Sequence, residues 1–178
     1  WNQLCYAIHQ LVNCIIIGPS GCGKTQACTL IAKAAKRRLE RFNCGGMSES
    51  RSTLIGNPHY DPEKGTFFCE SRFVRAIQTP YTIILLDEIS RLPRDALNML
   101  LPLLDGQGYL ALDEREDGAV VHRAEGVTFL ATANVGQEYT GADELDKALK
   151  DRVGIAVDLN FPDESEEFAV LKHRCPGL

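Results

Sequence analysis

Residues 14 to 25 read Cys14-Ile15-Ile16-Ile17-Gly18-Pro19-Ser20-Gly21-Cys22-Gly23-Lys24-Thr25. Three consecutive isoleucines are β-branched and apolar, which predicts a strand buried on both faces, as in a parallel sheet. The run stops at Gly18. Gly18, Gly21 and Gly23 then permit a loop that curls with its N–H groups inward, and the spacing Gly18-x4-Gly23-Lys24-Thr25 is that of a phosphate-binding loop. Gly18, Pro19, Ser20, Gly21, Cys22, Gly23, Lys24 and Thr25 are the candidate cradle. Backbone N–H groups and a helix N-terminus attract phosphate oxygens, Lys24 adds a mobile positive charge near the β- and γ-phosphates, and the Thr25 hydroxyl can ligate Mg2+. The competing reading is a glycine-rich turn between a strand and a helix, with no ligand.

A second stretch bears on that choice. Tyr81-Thr82-Ile83-Ile84-Leu85-Leu86-Asp87-Glu88 is a near-continuous apolar strand that delivers two adjacent carboxylates at its C-terminal end, where open α/β sheets place their ligands. An acidic pair there, downstream of a phosphate loop, is the Walker B arrangement: Asp87 to hold Mg2+ through water and Glu88 to polarise an attacking water. Alternatively, Asp87 and Glu88 cap the helix that follows. A third buried strand, Val127 to Thr132, ends at Ala133-Asn134. The uncharged amide of Asn134 suits a water- or γ-phosphate-orienting role, and equally a turn.

The other elements fall around these three. Leu4, Ile8 and Leu11 have helical spacing before the first strand, and Ala27, Leu30, Ile31 and Ala34 give the helix after the loop an apolar face. Lys33, Lys36, Arg37, Arg38 and Arg41 cluster near that helix's end, either as a nucleic-acid contact or as solvated cations suited to the helix dipole. Arg41 to Cys44 is a candidate short strand. Residues 45 to 68 are the least regular, broken by Asn57-Pro58, Asp61-Pro62 and Gly65. His59, Tyr60, Phe67 and Phe68 in this segment are candidates to grip a polypeptide or strand, with Phe67 and Phe68 alternatively anchoring the core. Phe73, Val74 and Ile77 mark a helix ending near Thr79-Pro80, and Pro93 to Leu104 reads as another, begun by Pro93 and stopped by Asp105-Gly106.

Asp117-Gly118 between Tyr109–Asp113 and Ala119–His122 predicts a hairpin with an acidic tip (Asp113, Glu114, Glu116, Asp117), which disfavours DNA by like-charge repulsion. Leu145 to Val153 is read as a short helix carrying Asp151-Arg152, followed by the strand Ile155 to Leu159, and Glu164 to His173 begins a further amphipathic helix. Five strands alternating with helices imply α/β architecture, a parallel sheet in a three-layer α/β/α sandwich.

Size and charge narrow the classes further. The 178 residues are one domain's worth, with 44% hydrophobic and 24% charged residues and a net charge of -5, so the chain has enough apolar material for a core and lacks the overall basicity of a nucleic-acid binder. No apolar run reaches membrane-spanning length, so no membrane partner is expected. Seven scattered cysteines without a CxxC pair read as reduced thiols in a cytoplasmic protein. Cys22, between two glycines near a helix N-terminus, is either a reactive thiol or a small filler. Beginning at Trp1 and ending just after the start of a helix, the chain is expected to be a segment of a longer protein.

Taken together, these residues resemble an AAA+ ATPase, and within that superfamily the MoxR-like (AAA_5-type) branch. The resemblance rests on Gly18 to Thr25 (Walker A), Leu54-Ile55-Gly56, the helix from Cys69 to Thr79, Leu86-Asp87-Glu88-Ile89 (Walker B), Ala131-Thr132-Ala133-Asn134 (sensor 1), and Leu145-Asp146 through Asp151-Arg152. Phe161-Pro162-Asp163 onward is similar to the beginning of the family's helical lid. Arg51 departs from the pattern, standing near the place where relatives carry acidic or small residues. The resemblance implies a P-loop NTPase sheet of order 5-1-4-3-2, an AAA+ core over 1–162, and a truncated lid over 163–178 that stops short of any sensor 2 arginine. It also implies assembly into a homo-oligomeric ring, commonly a hexamer, with Arg152 as an arginine finger acting in trans. Arg152 has a plainer reading, an ordinary Asp151–Arg152 surface pair.

The expected activity is Mg2+-dependent ATP hydrolysis: Lys24, Glu88, Asn134 and Arg152 are the catalytic set, and Thr25 and Asp87 hold the metal. The expected use of that hydrolysis is remodelling of a protein client or companion subunit. Two alternatives stand beside it. One is a GTP-hydrolysing subunit of a DNA-restriction-type machine, and the other is a nucleotide-gated interaction module without turnover.

Overall fold

The computed structural model describes residues 1–47, 49–63, 65–112, 115, 118–134, 149 and 151–175, with the side chains of 173 and 174 left aside. Five parallel strands form the central sheet. They are β1 (Cys14–Gly18), β2 (Leu39–Asn43), β5 (Ile83–Asp87), β8 (Thr128–Asn134) and β9 (Ile155–Asp158), in the order β2-β5-β8-β1-β9. Counting only these five along the chain, that order is 2-3-4-1-5, the expected 5-1-4-3-2 read from the other edge. The α/β, three-layer expectation therefore holds.

Alternation along the strands builds the layers. Ile15, Ile84, Leu86, Phe129 and Ala131 enter one apolar cluster, packed with α4 (Arg72–Ile77) and α5 (Arg94–Leu104). Cys14, Ile16, Ile83, Leu85 and Leu130 enter the other, with α1 (Asn2–His9) and α2 (Lys24–Ala34). Ile83 through Leu86 are fully buried, each worth about 1.5–3 kcal/mol relative to exposure. The buried stripe of α2 is Lys24, Cys28, Ile31 and Ala32, whereas Leu30 of the expected face is 47% exposed. The stripe is rotated because the helix begins inside the phosphate loop, which turns Lys24 inward.

The largest departure lies in residues 45 to 68, expected to be irregular. They hold α3 (Ser50–Leu54), β3 (Gly56–Asp61) and most of β4 (Gly65–Glu70), the two strands forming an antiparallel ribbon. Both strands of a two-stranded ribbon are edges, where proline is tolerated, so Pro58 does not break it. Cys69 and Glu70 belong to this ribbon, so the expected helix from Cys69 begins only at Arg72, capped by the Ser71 hydroxyl, which accepts from Val74 N at 3.0 Å. Phe67 is exposed and stacks on His59 at 6.2 Å, so it is no core anchor, while Phe68 packs against the core.

The predicted hairpin is present as β6 (Tyr109–Ala111) and β7 (Val120–His122); its acidic tip residues lie outside the described residues. So does most of the expected helix from Leu145, of which Leu149 and Asp151 to Val153 are described. The last helix, α6 (Glu164–Arg174), starts at an Asp163–Glu166 capping box. Among the described residues no helix is long and apolar enough to cross a membrane.

Candidate nucleotide site

In the sheet, β1 lies between β8 and β9, and α2 and α5 pack on opposite faces. The carboxyl ends of β1 and β8 therefore border a topological switch point, the usual ligand crevice of such sheets. The phosphate loop occupies it. Gly18 ends β1 so close to the β9 end that a Cβ there would lie 2.0 Å from the Leu159 carbonyl oxygen. Gly23 caps α2 at φ 94°, a conformation that L side chains rarely adopt. The loop is thus shaped by contact at one end and by backbone torsion at the other.

Lys24 is nearly buried, its Nζ donating to the carbonyls of Gly18 at 2.9 Å and Pro19 at 2.6 Å. Thr25 Oγ1 donates to Asp87 Oδ1 at 2.9 Å and lies 3.1 Å from Oδ2. Asp87, 4% exposed, ends β5 beside β8, because the register pairs Leu86 with Ala131. That register brings Thr132 alongside, and its hydroxyl donates to Asp87 Oδ1 at 2.5 Å while accepting from the Glu88 N–H at 2.9 Å. Asn134, 5% exposed, ends β8 opposite Gly18. A cleft of about 440 Å3 collects Ser20, Lys24, Thr25, Asp87, Glu88 and Asn134, within the size range of ligand pockets.

Glu88 adopts φ 57°, ψ 44° and its carboxylate faces Arg91 at 3.3 Å. Arg152 is not among the residues lining this cleft; its Nε lies 3.8 Å from Asp105 Oδ2, beyond the end of α5. Of the predicted site residues, Ser20, Gly21, Gly23, Lys24, Thr25, Asp87, Glu88 and Asn134 line this cleft, whereas Gly18, Pro19, Cys22 and Arg152 do not. The cleft adds groups that the sequence reading had left without a role here, namely Arg41, Asn43, Gln26, Thr29 and Thr132. Thr132 carried no signal of its own, since Thr128 also places a hydroxyl in the same apolar strand. Arg41 had been grouped with the basic cluster of α2, yet its Nη2 lies 2.5 Å from Asp87 Oδ2. Burial, reinforced by Asp87, pushes the Cys28 thiol up to about 12, and burial with Asp87 and then Glu88 does the same for Cys44.

The donor set fits Mg2+. A hydroxyl and a carboxylate, both hard oxygens, converge beside the phosphate loop, and Mg2+ typically takes one or two such ligands together with phosphate oxygens and water. Thr25 and Asp87 are the residues that would hold it.

The chain matches the family model "AAA domain (dynein-related subfamily)" over residues 13–153. It is 36% identical over 163 residues to "Putative chaperone BssE" of Thauera aromatica, covering 90% of this chain and 55% of that protein. It is 33% identical over 132 residues to the chaperone protein ClpB of Lactococcus lactis, covering 70% of this chain and 14% of ClpB. A crystal structure named "putative ATPase", from Cytophaga hutchinsonii, superposes with a TM-score of 0.68 at 23% identity, over 99% of this chain and 50% of that one, and shares the fold. The chain spans about half the length of the first of these relatives.

Proposed function

Because the chain belongs to the AAA+ ATPases, in the dynein-related subfamily, we propose that it binds and hydrolyses ATP with Mg2+ as one module of a MoxR-like, ring-forming remodelling machine. The observation that carries this reading is the convergence of Thr25 and Asp87 at 2.9 Å in the cleft that also holds Lys24, Glu88 and Asn134. Loop N–H groups and the N-terminus of α2 draw in the phosphates, and Lys24 leaves its carbonyl partners to meet the β- and γ-oxygens. Bound Mg2+ supplies charge neutralisation across those phosphates. Glu88 accepts a proton from the attacking water, Asn134 orients that water, and Thr132 fixes Asp87 and the Glu88 backbone at once.

Arg152 is assigned to a neighbouring copy's site, in a ring commonly of six. Its position outside its own chain's cleft supports this. Residues 1–162 form the core, and 163–178 begin a helical lid, a reading supported by the exposed Phe168, Val170 and Leu171 of α6. A protein client is supported by the chaperone names of the relatives, and a cytoplasmic setting by seven free cysteines.

Glu88→Gln tests the chemistry. Hydrolysis is expected to fall by about 10²–10⁴-fold, the range for a lost general base, with ATP affinity retained by calorimetry. Turnover equal to that of the unaltered protein would falsify the role of Glu88.

A further inference from the structure

Among the described residues, Arg41 is the charged group lining the cleft that the reading above does not use. It leaves β2 on the face opposite Phe42, which enters the core, and β2 pairs in parallel with β5 so that Arg41 lies across from Leu85. To reach Asp87, two residues further on, its side chain runs along the strands toward their carboxyl ends. There Nη2 meets Asp87 Oδ2 at 2.5 Å, with Arg41 half-exposed and Asp87 buried. The same carboxylate faces Thr25, the other candidate metal ligand.

We infer that Arg41 competes with the divalent cation for Asp87 and so sets the metal concentration at which the site loads. The inference rests on the nucleotide reading above. Two cations on one carboxylate repel each other, and a guanidinium that holds Asp87 offsets the negative charge that would draw Mg2+ to it. Arg41 can yield because it is long, half-exposed and not part of the core packing. Having yielded, it still lines the cleft with Gln26 and Thr29, where a polyphosphate offers its charge another partner. Arg41 is thus a positioning residue that holds Asp87 in place and surrenders it to the metal.

The experiment is a titration of fluorescent ADP binding against Mg2+ for the chain, for Arg41→Gln and for Arg41→Lys. Removing the charge is expected to lower the Mg2+ concentration for half-maximal binding by roughly tenfold, the scale of one screened charge–charge interaction at a half-exposed site. Arg41→Lys, which keeps the charge, is expected to stay within about threefold of the unaltered chain on the same reasoning. In EDTA, Arg41→Gln is expected to bind fluorescent ADP more weakly, because the polyphosphate has lost a cation. An unchanged or higher Mg2+ requirement in Arg41→Gln, with binding otherwise intact, overturns the competition. Failure of the unaltered chain to bind fluorescent ADP at any Mg2+ concentration overturns the phosphate-loop reading, and this inference with it.

Discussion

Glu88 occupies the left-handed backbone region, which costs a non-glycine residue on the order of 1–3 kcal/mol and persists only when its surroundings hold it there. Here the holding group is Thr132, whose hydroxyl takes the Glu88 N–H while donating to Asp87. One side chain on β8 thus ties the metal-ligand candidate to the base candidate. Other single groups matter through what they bury. Cys14 is pushed up to about 11 by burial, and Cys28 and Cys44 to about 12, from the ordinary 9.0. Above pH 9 the unfolded chain loses these protons before the folded one does, so folding stability is complete below about pH 9 and declines as pH rises toward 11–12. Urea midpoints measured from pH 8 to 11 should fall accordingly, with a slope of about 1.4 kcal/mol per pH unit for each such thiol. A flat profile would mean that these thiols ionise in the fold as easily as in water. At this scale the sequence marked Lys24, Thr25, Asp87, Glu88 and Asn134 as candidates, because each stands at a strand or loop end, and all five line the cleft. Thr132 and Arg41 were hidden because their roles depend on strand register, which no local pattern states.

Among the elements, four of the five parallel strands were legible because each is a short apolar run ending at glycine, acid or amide; β2, which carries Glu40 and Arg41, is not such a run and was read two residues late, as Arg41 to Cys44. The β3–β4 ribbon was not legible. Its outward faces carry Tyr60 and Phe67 in the open, so it lacks the apolar alternation of a half-buried strand, and its prolines mimic a loop. What joins the elements at the far end of the sheet is Arg37. From the segment between α2 and β2, its guanidinium donates to the carbonyls of Ile8, Tyr81, Thr82 and Gly126 and to the Thr128 hydroxyl. It thereby fastens α1 and the beginnings of β5 and β8 to one another. Burial pulls its pKa below the ordinary arginine value. Arg37→Ala leaves several carbonyls without their donor, and is expected to cost about 2–4 kcal/mol, by the usual penalty for breaking a partly buried polar network. Equilibrium urea unfolding measures this directly. A loss below about 0.5 kcal/mol, the level of an ordinary surface substitution, would mean that water replaces Arg37 without cost.

For the whole molecule, the placement of Arg152 poses the question of assembly. It pairs with Asp105 of its own chain at 3.8 Å, away from the cleft that holds the loop, the acidic pair and Asn134. If the site is completed in trans, each active site combines the Glu88 of one copy with the Arg152 of the next. Two defective variants can then repair each other. Arg152→Ala keeps its own Glu88 and lacks a finger to lend; Glu88→Gln lacks the base and still lends Arg152. Each alone is expected to hydrolyse ATP at least about a hundredfold more slowly than the unaltered protein, since an arginine finger and a general base each supply effects of that order or more. Mixed in equal amounts and allowed to exchange subunits, they form interfaces in which an Arg152→Ala copy with an intact base meets a Glu88→Gln copy with an intact finger. Steady-state phosphate release from the mixture should therefore rise well above the sum of the two separate rates, and should follow the fraction of mixed interfaces as the ratio is varied. A mixture no faster than that sum, although subunit exchange is confirmed by mass measurement, would place Arg152 in a cis or purely structural role.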